Sequence, residues 1–215
     1  ARTNAIIARI GTPLTVFTCP TRRRAISYPD KRVSNPYRTA SSDAIFATRA
    51  GRSDYGANAG DTVDLGLSTG PDSVAQGDGS TYAWPSTSAL TGVVYLRSMV
   101  SMAEIRDGAS NTYLFGERYI SADHNLDGQD PGDNENLYVG CDNDNARGTH
   151  PSPGPPAQDR PGVSNDYIFG SAHASSWNVV LCDGSVRSIS YAIDSETHRR
   201  LGNRKDAQPI DASKF

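Results

Sequence analysis

Two stretches, Arg49 to Trp84 and Asp123 to Asn165, carry most of the Gly, Pro, Asn and Asp of this 215-residue chain. Loops of that length are uncommon in a compact domain unless a function or a ligand pins them. The core must therefore come mainly from the segments around them. A chain of this size hides roughly 70% of its surface in one core. The expectation is one domain over 1–215 with loop excursions at about 49–84 and 123–165. Hydrophobic residues reach only 36%, yet the chain holds 10 Tyr, more aromatic content than a disordered segment usually carries. The net charge of −3 gives no sequence-wide positive field, which argues against nucleic acid and anionic lipid as partners. No apolar run approaches the roughly 18 residues of a membrane span, so no membrane span is expected in this chain, which reads as soluble.

Strand signals are short. Leu14 to Thr18, Gly92 to Leu96, Thr112 to Tyr119 and Trp177 to Cys182 are rich in β-branched and aromatic residues and bounded by turn formers. The clearest hairpin joins Val179–Cys182 to Ser185–Ile189 through Asp183-Gly184, a pair suited to a type I′ turn that would set Cys182 opposite Ser185. Helix signals are fewer. Ser101 and Glu104 form a capping box ahead of Gly108, and Asp194 caps Ser195 to Leu201, with Arg199 and Arg200 in the last turn and Gly202 as terminator. Each helix is expected to be about two turns long. The fold class is therefore α+β, a mainly antiparallel sheet with few short helices and long loops.

Cys19, Cys141 and Cys182 leave at least one thiol unpaired, and their spacing selects neither a single disulfide nor three buried free thiols. No CxxC, HExxH, GxSxG or phosphate-loop pattern occurs. Arg22, Arg23 and Arg24 read as a solvated loop or as ion-pair partners of the acidic segment, with an anion or partner contact as the alternative.

The strongest local chemistry starts at Asp123. Asp123, Asn125 and Asp127 occupy alternate positions before Gly128, as at the start of a Ca²⁺ loop, with Asp133 or Glu135 closing the site. Seven acidic residues lie between Asp123 and Asp144 with no Lys or Arg among them, so ordering the segment without a cation brings like charges together. Bound Ca²⁺ is the expected cofactor, a solvated Asx-rich turn the alternative. His173 and Asp183 could be taken for a catalytic dyad, but an extended segment between them holds the side chains some 30 Å apart. Both are expected to be architectural, together with Gly184.

These segments carry a resemblance. His173, nine residues, then Asp183-Gly184, preceded by Phe169-Gly170-Ser171-Ala172, resembles the His-x9-Asp-Gly signature of the bacterial domain of unknown function 1559 family. Val16-Phe17-Thr18-Cys19-Pro20-Thr21 resembles its Cys-Pro-Ser motif, with Thr21 for Ser. Asp107-Gly108-Ala109-Ser110-Asn111-Thr112 and Gly116-Glu117 resemble its central block, with Ala109 for Thr, and Leu201 to Asp206 matches its C-terminal end. The likeness spans residues 13–211.

Members of that family typically begin with a type IV prepilin-like leader and a hydrophobic helix, a segment that this sequence, starting at Ala1 without Met, does not include. The resemblance implies a pilin- or pseudopilin-like globular head, a sheet packed on a helix, in an exported, extracellular or envelope subunit. The expected function is that of a non-enzymatic structural subunit forming filaments or surface layers by self-association. Ala5-Ile6-Ile7-Ala8 offers an apolar contact for this. The alternative, from a different class, is a calcium-ordered module that binds carbohydrate or another cell-surface ligand.

Overall fold

A central five-stranded sheet organises the chain. The computed structural model describes residues 2–32, 36–38, 43–66 and 70–215. The sheet consists of β1 (Tyr55–Gly60), β2 (Tyr113–Glu117), β3 (Ala146–Gly148), β4 (Ser176–Leu181) and β5 (Val186–Ser190), in the spatial order β5-β4-β2-β1-β3. Every pairing is antiparallel except β1 with β3. Three two-stranded ribbons flank it, two antiparallel and one parallel. With helices α1 (Arg2–Ile10), α2 (Val74–Asp78) and α3 (Ser195–Gly202), the architecture is α+β.

β4 alternates as a half-buried strand should, turning Trp177, Val179 and Leu181 inward. They meet Tyr113 of β2, Phe169, Ile189 of β5, and Leu201 of α3 in the main core. The sheet is thus packed on a helix, and that helix is the C-terminal α3. Asp194 caps it by accepting a hydrogen bond from Thr197 N at 2.9 Å, and Glu196 pairs with both Arg199 and Arg200. Gly202 is the last residue of α3, placed there by a close approach: a Cβ would lie 1.9 Å from Thr149 Oγ1.

His198 sits inside this core, ringed by Tyr113, Phe169 and Trp177. Burial pushes its imidazole down to about 3. An unfolded His titrates near 6.5, so below that pH the unfolded chain binds a proton that the folded chain refuses, and stability falls with falling pH. The step should amount to about 2 kcal/mol between pH 7 and pH 5. Urea titrations should show that His198→Phe flattens it; an unchanged slope would count against a neutral buried His198.

Several local expectations are corrected. The hairpin between β4 and β5 turns through three residues, Cys182, Asp183 and Gly184, with Leu181 N donating to Ser185 O and Gly184 N to Leu181 O. Only Gly184 has positive φ, at 86°. A type I turn followed by a left-handed glycine spares Asp183 the positive φ that a type I′ turn demands. Asp183 accepts instead from Ser185 N and Oγ, and Leu181, not Cys182, faces Ser185.

The capping box at Ser101 and Glu104 is present, but it opens only the 3₁₀ turn Met102–Glu104. The chain then leaves the helical path as Arg106 N donates to Arg204 O. Leu14 to Thr18 contains a 3₁₀ turn, Thr15–Phe17, and Gly92 to Leu96 forms turns. Helix α1 lies away from the central sheet, its Ile6, Ile7 and Ile10 packing on Ile45, Ala47 and Ala50. Among the described residues no helix is long and apolar enough to cross a membrane.

Candidate functional site

Three distant segments meet where β2 ends. Glu117 is the last residue of β2, Cys19 lies in the loop after the Thr15–Phe17 turn, and His173 lies in the bend before β4. His173 Nε2 stands 3.2 Å from Glu117 Oε1 and 3.7 Å from Cys19 Sγ. Among the described residues this is the one group of three or more His, Cys, Asp or Glu side chains whose ligand atoms all fall within 4.8 Å of one another. Cys19 and Glu117 are 2% and 1% exposed, whereas the His173 side chain is 32% exposed. The site is therefore closed on two sides and reachable from the third.

Each member is held from behind. Cys19 N donates to Asp54 Oδ2 at 2.8 Å, and Asn178 N of β4 donates to Glu117 Oε2 at 2.7 Å. The His173 backbone is fixed at both ends, its N donating to Ser171 Oγ and its carbonyl accepting from the Tyr191 hydroxyl. Burial, and after it the adjacent Glu117 carboxylate, pushes the Cys19 thiol up, while the Thr21 and Arg22 amides pull it back. A thiol nucleophile needs a lowered pKa, access for substrate, and a His that turns one nitrogen to sulfur and the other to the acid. Here the same nitrogen faces both partners and the sulfur is buried, so the arrangement suits ligation better than nucleophilic attack.

Behind Cys19 runs a buried ionic network. Arg22 Nε donates to Asp159 Oδ2 at 2.7 Å and its Nη1 to Asp54 Oδ1 at 3.2 Å. Arg23 Nη2 reaches Asp54 Oδ1 at 2.7 Å and Asp133 Oδ1 at 3.0 Å, and Arg118 Nη2 donates to the same Asp133 oxygen. Three guanidinium groups thus meet three carboxylates with almost no solvent contact. Burial pushes the Asp133 carboxyl up, but Arg23 and Arg118 hold it down at about 2. Of the reading offered for Arg22 and Arg23, the ion-pair part describes them; both are buried, while Arg24 is exposed.

The five residues assigned to calcium are not brought together. Asp133 belongs to the arginine network, and Glu135 pairs with Arg32. Asp123 accepts from Gly162 N at 2.6 Å. Asp127 accepts from Gln129 and lies 3.0 Å from His124 Nδ1. Asn125 Oδ1 is buried without a hydrogen-bond partner. Much of the positive charge missing from the acidic segment arrives from arginines elsewhere in the chain. His173 and Asp183 have separate neighbours, Cys19 and Glu117 for the first and Ser185 for the second. Cys19, Cys141 and Cys182 are free thiols.

The meeting of Cys19, Glu117 and His173 is absent from the sequence reading, although each lies in a different motif quoted for the resemblance. Asking what those motifs would do together was the available signal. The family described as "Protein of unknown function (DUF1559)" matches residues 2–196, and the chain belongs to it. No curated protein and no solved structure matches the chain.

Proposed function

We propose that the chain is a non-enzymatic structural subunit of the bacterial envelope or exterior, pilin-like in its assembly, which self-associates into filaments or surface layers. The supporting observation is an apolar face beyond the C-terminus of α1. Leu14, Val16, Phe17 and Ile26 are all exposed there, Val16 by 77%. Ile26 also lines a cleft of about 500 Å³ with Thr15, Thr18, Pro20, Arg23 and Arg24. Clustered exposed apolar side chains are what a subunit contact uses and what a monomer avoids. A net charge of only −3 opposes stacking of identical copies weakly. If this face meets a different face of the next copy and the rotation does not close, an open filament results.

Light scattering at micromolar concentration should find assemblies larger than one chain, with Val16→Asp and Phe17→Asp reducing them to monomers while the far-ultraviolet spectrum is unchanged. A strictly monomeric wild-type chain, with no filaments by electron microscopy, would overturn the reading. The second reading, a calcium-ordered module for carbohydrate or another surface ligand, draws support from the unpartnered Asn125 Oδ1. Its ion would rest on Asp123, Asn125 and Asp127, because Asp133 and Glu135 are engaged by arginines.

A further inference from the structure

We propose that Cys19 Sγ, Glu117 Oε1 and His173 Nε2 form one face of a tetrahedral site for a divalent transition metal of the zinc class, with water or an external group as fourth ligand. The argument begins with distances. Ideal bonds of about 2.0–2.1 Å to N or O and about 2.3 Å to S, at tetrahedral angles, place N and O about 3.3 Å apart and S and N about 3.6 Å apart. The observed separations are 3.2 Å for Nε2 to Oε1 and 3.7 Å for Sγ to Nε2. Two edges of one tetrahedral face therefore already have near-ideal lengths, and the third pair, Sγ and Oε1, lies within 4.8 Å.

An independent observation comes from Glu117. Its carboxylate is 1% exposed, and while Oε2 accepts from Asn178 N, Oε1 is buried without a hydrogen-bond partner. Its near neighbours are the two other candidate ligands, His173 Nε2 at 3.2 Å and the Cys19 thiol. Buried carboxylate oxygens are rarely left in this state, and this one points toward the other two candidate ligands. Charge balance agrees. On binding, the Cys19 thiol loses its proton to solvent as the metal–sulfur bond forms, and thiolate plus carboxylate neutralise a divalent cation. The donor set of one thiolate, one imidazole and one carboxylate suits zinc better than calcium or magnesium, which favour oxygen.

The hydrogen bonds behind each ligand supply the outer support that metal sites use to fix ligand orientation. Asp54 holds the Cys19 backbone, Asn178 holds Glu117, and Ser171 and Tyr191 hold the His173 backbone. The partly exposed His173 ring leaves a route for the ion to arrive. Cys19 lies two positions from Phe17 of the apolar face, but none of the three ligands belongs to that face and metal uptake is read without reference to assembly, so its failure would leave self-association standing.

The full chain, kept reduced, loaded with zinc and then dialysed, should retain about one ion per chain by elemental analysis. Cys19→Ser and His173→Gln should each lose it while keeping the wild-type far-ultraviolet spectrum, and Cys141→Ser and Cys182→Ser should keep it. Cobalt(II) in place of zinc should give a near-ultraviolet thiolate-to-metal band and intense visible bands of tetrahedral geometry, both lost in Cys19→Ser. Should Cys19→Ser fail to fold, His173→Gln carries the test, because its position is partly exposed. A wild-type chain that takes up neither metal, or a folded Cys19→Ser or His173→Gln variant that keeps both stoichiometry and spectrum, overturns the proposal.

Discussion

Replacing Asp133 with alanine is expected to remove about 3–5 kcal/mol of folding stability, the usual cost of breaking one side of a buried ion pair. Asp133 is 1% exposed and is the carboxylate shared by Arg23 and Arg118. Its loss leaves guanidinium charge in a region that water does not reach. Arg23 retains Asp54, but for Arg118 Asp133 is the only salt-bridge carboxylate among the described residues. A domain holds only about 5–15 kcal/mol in total, so the variant should unfold at a much lower urea concentration or express poorly. Asp133→Asn keeps the shape and some hydrogen bonding and should recover part of the loss. An Asp133→Ala chain with the wild-type urea midpoint would show that the network contributes little.

A second large effect is expected at Gly92. A Cβ there would stand 2.1 Å from the Ala59 carbonyl carbon and 2.4 Å from Gly60 N, both main-chain atoms of β1. Gly60 faces it with φ at 109°, and its own Cβ would lie 2.4 Å from Gly92 N. The two segments touch backbone to backbone, secured as Val93 N and Val94 N donate to Asn58 O. No rotamer relieves a clash with main-chain atoms, so β1 would have to move and with it the middle of the sheet. Gly92→Val should therefore cost more than about 3 kcal/mol, in the range reserved for severe core disruption. Thermal unfolding checks this, and a melting temperature within a degree or so of wild type would show the contact to be yielding.

That contact also explains what the sequence hid. β1 reads Tyr-Gly-Ala-Asn-Ala-Gly, with no β-branched residue. It falls inside a stretch whose composition signals loop. Its strand character comes from its neighbours: β2 and β3 pair with it on either side, and close packing demands small side chains. β2, β4 and β5 were legible because aromatic and β-branched residues alternate there and Asp183-Gly184 marks the reversal. Leu14 to Thr18 shows the opposite failure: despite strong local β propensity it pairs with no strand among the described residues. The candidate site was legible one residue at a time. Cys19, Glu117 and His173 stood in separately recognised segments, but their meeting depends on topology, which sequence spacing does not encode.

The order of strands in the sheet has a consequence for how the chain reaches its native state. Of the four strand pairings in the central sheet, only β4 with β5 joins strands linked by a tight turn. The others must wait until segments separated by fifty residues or more have both been synthesised and found each other. Asn58 in β1 extends this dependence, since its Nδ2 donates to the Gly202 carbonyl at the end of α3, 144 positions away. β1 is thus secured by a residue synthesised long after it. Topologies dominated by such distant pairings fold on the millisecond-to-second scale or slower, with the apolar faces of β2 and β4 uncovered in the meantime. For this chain, exposure to aggregation is greatest before α3 docks, and an early stop that removes α3 would leave that exposure in place.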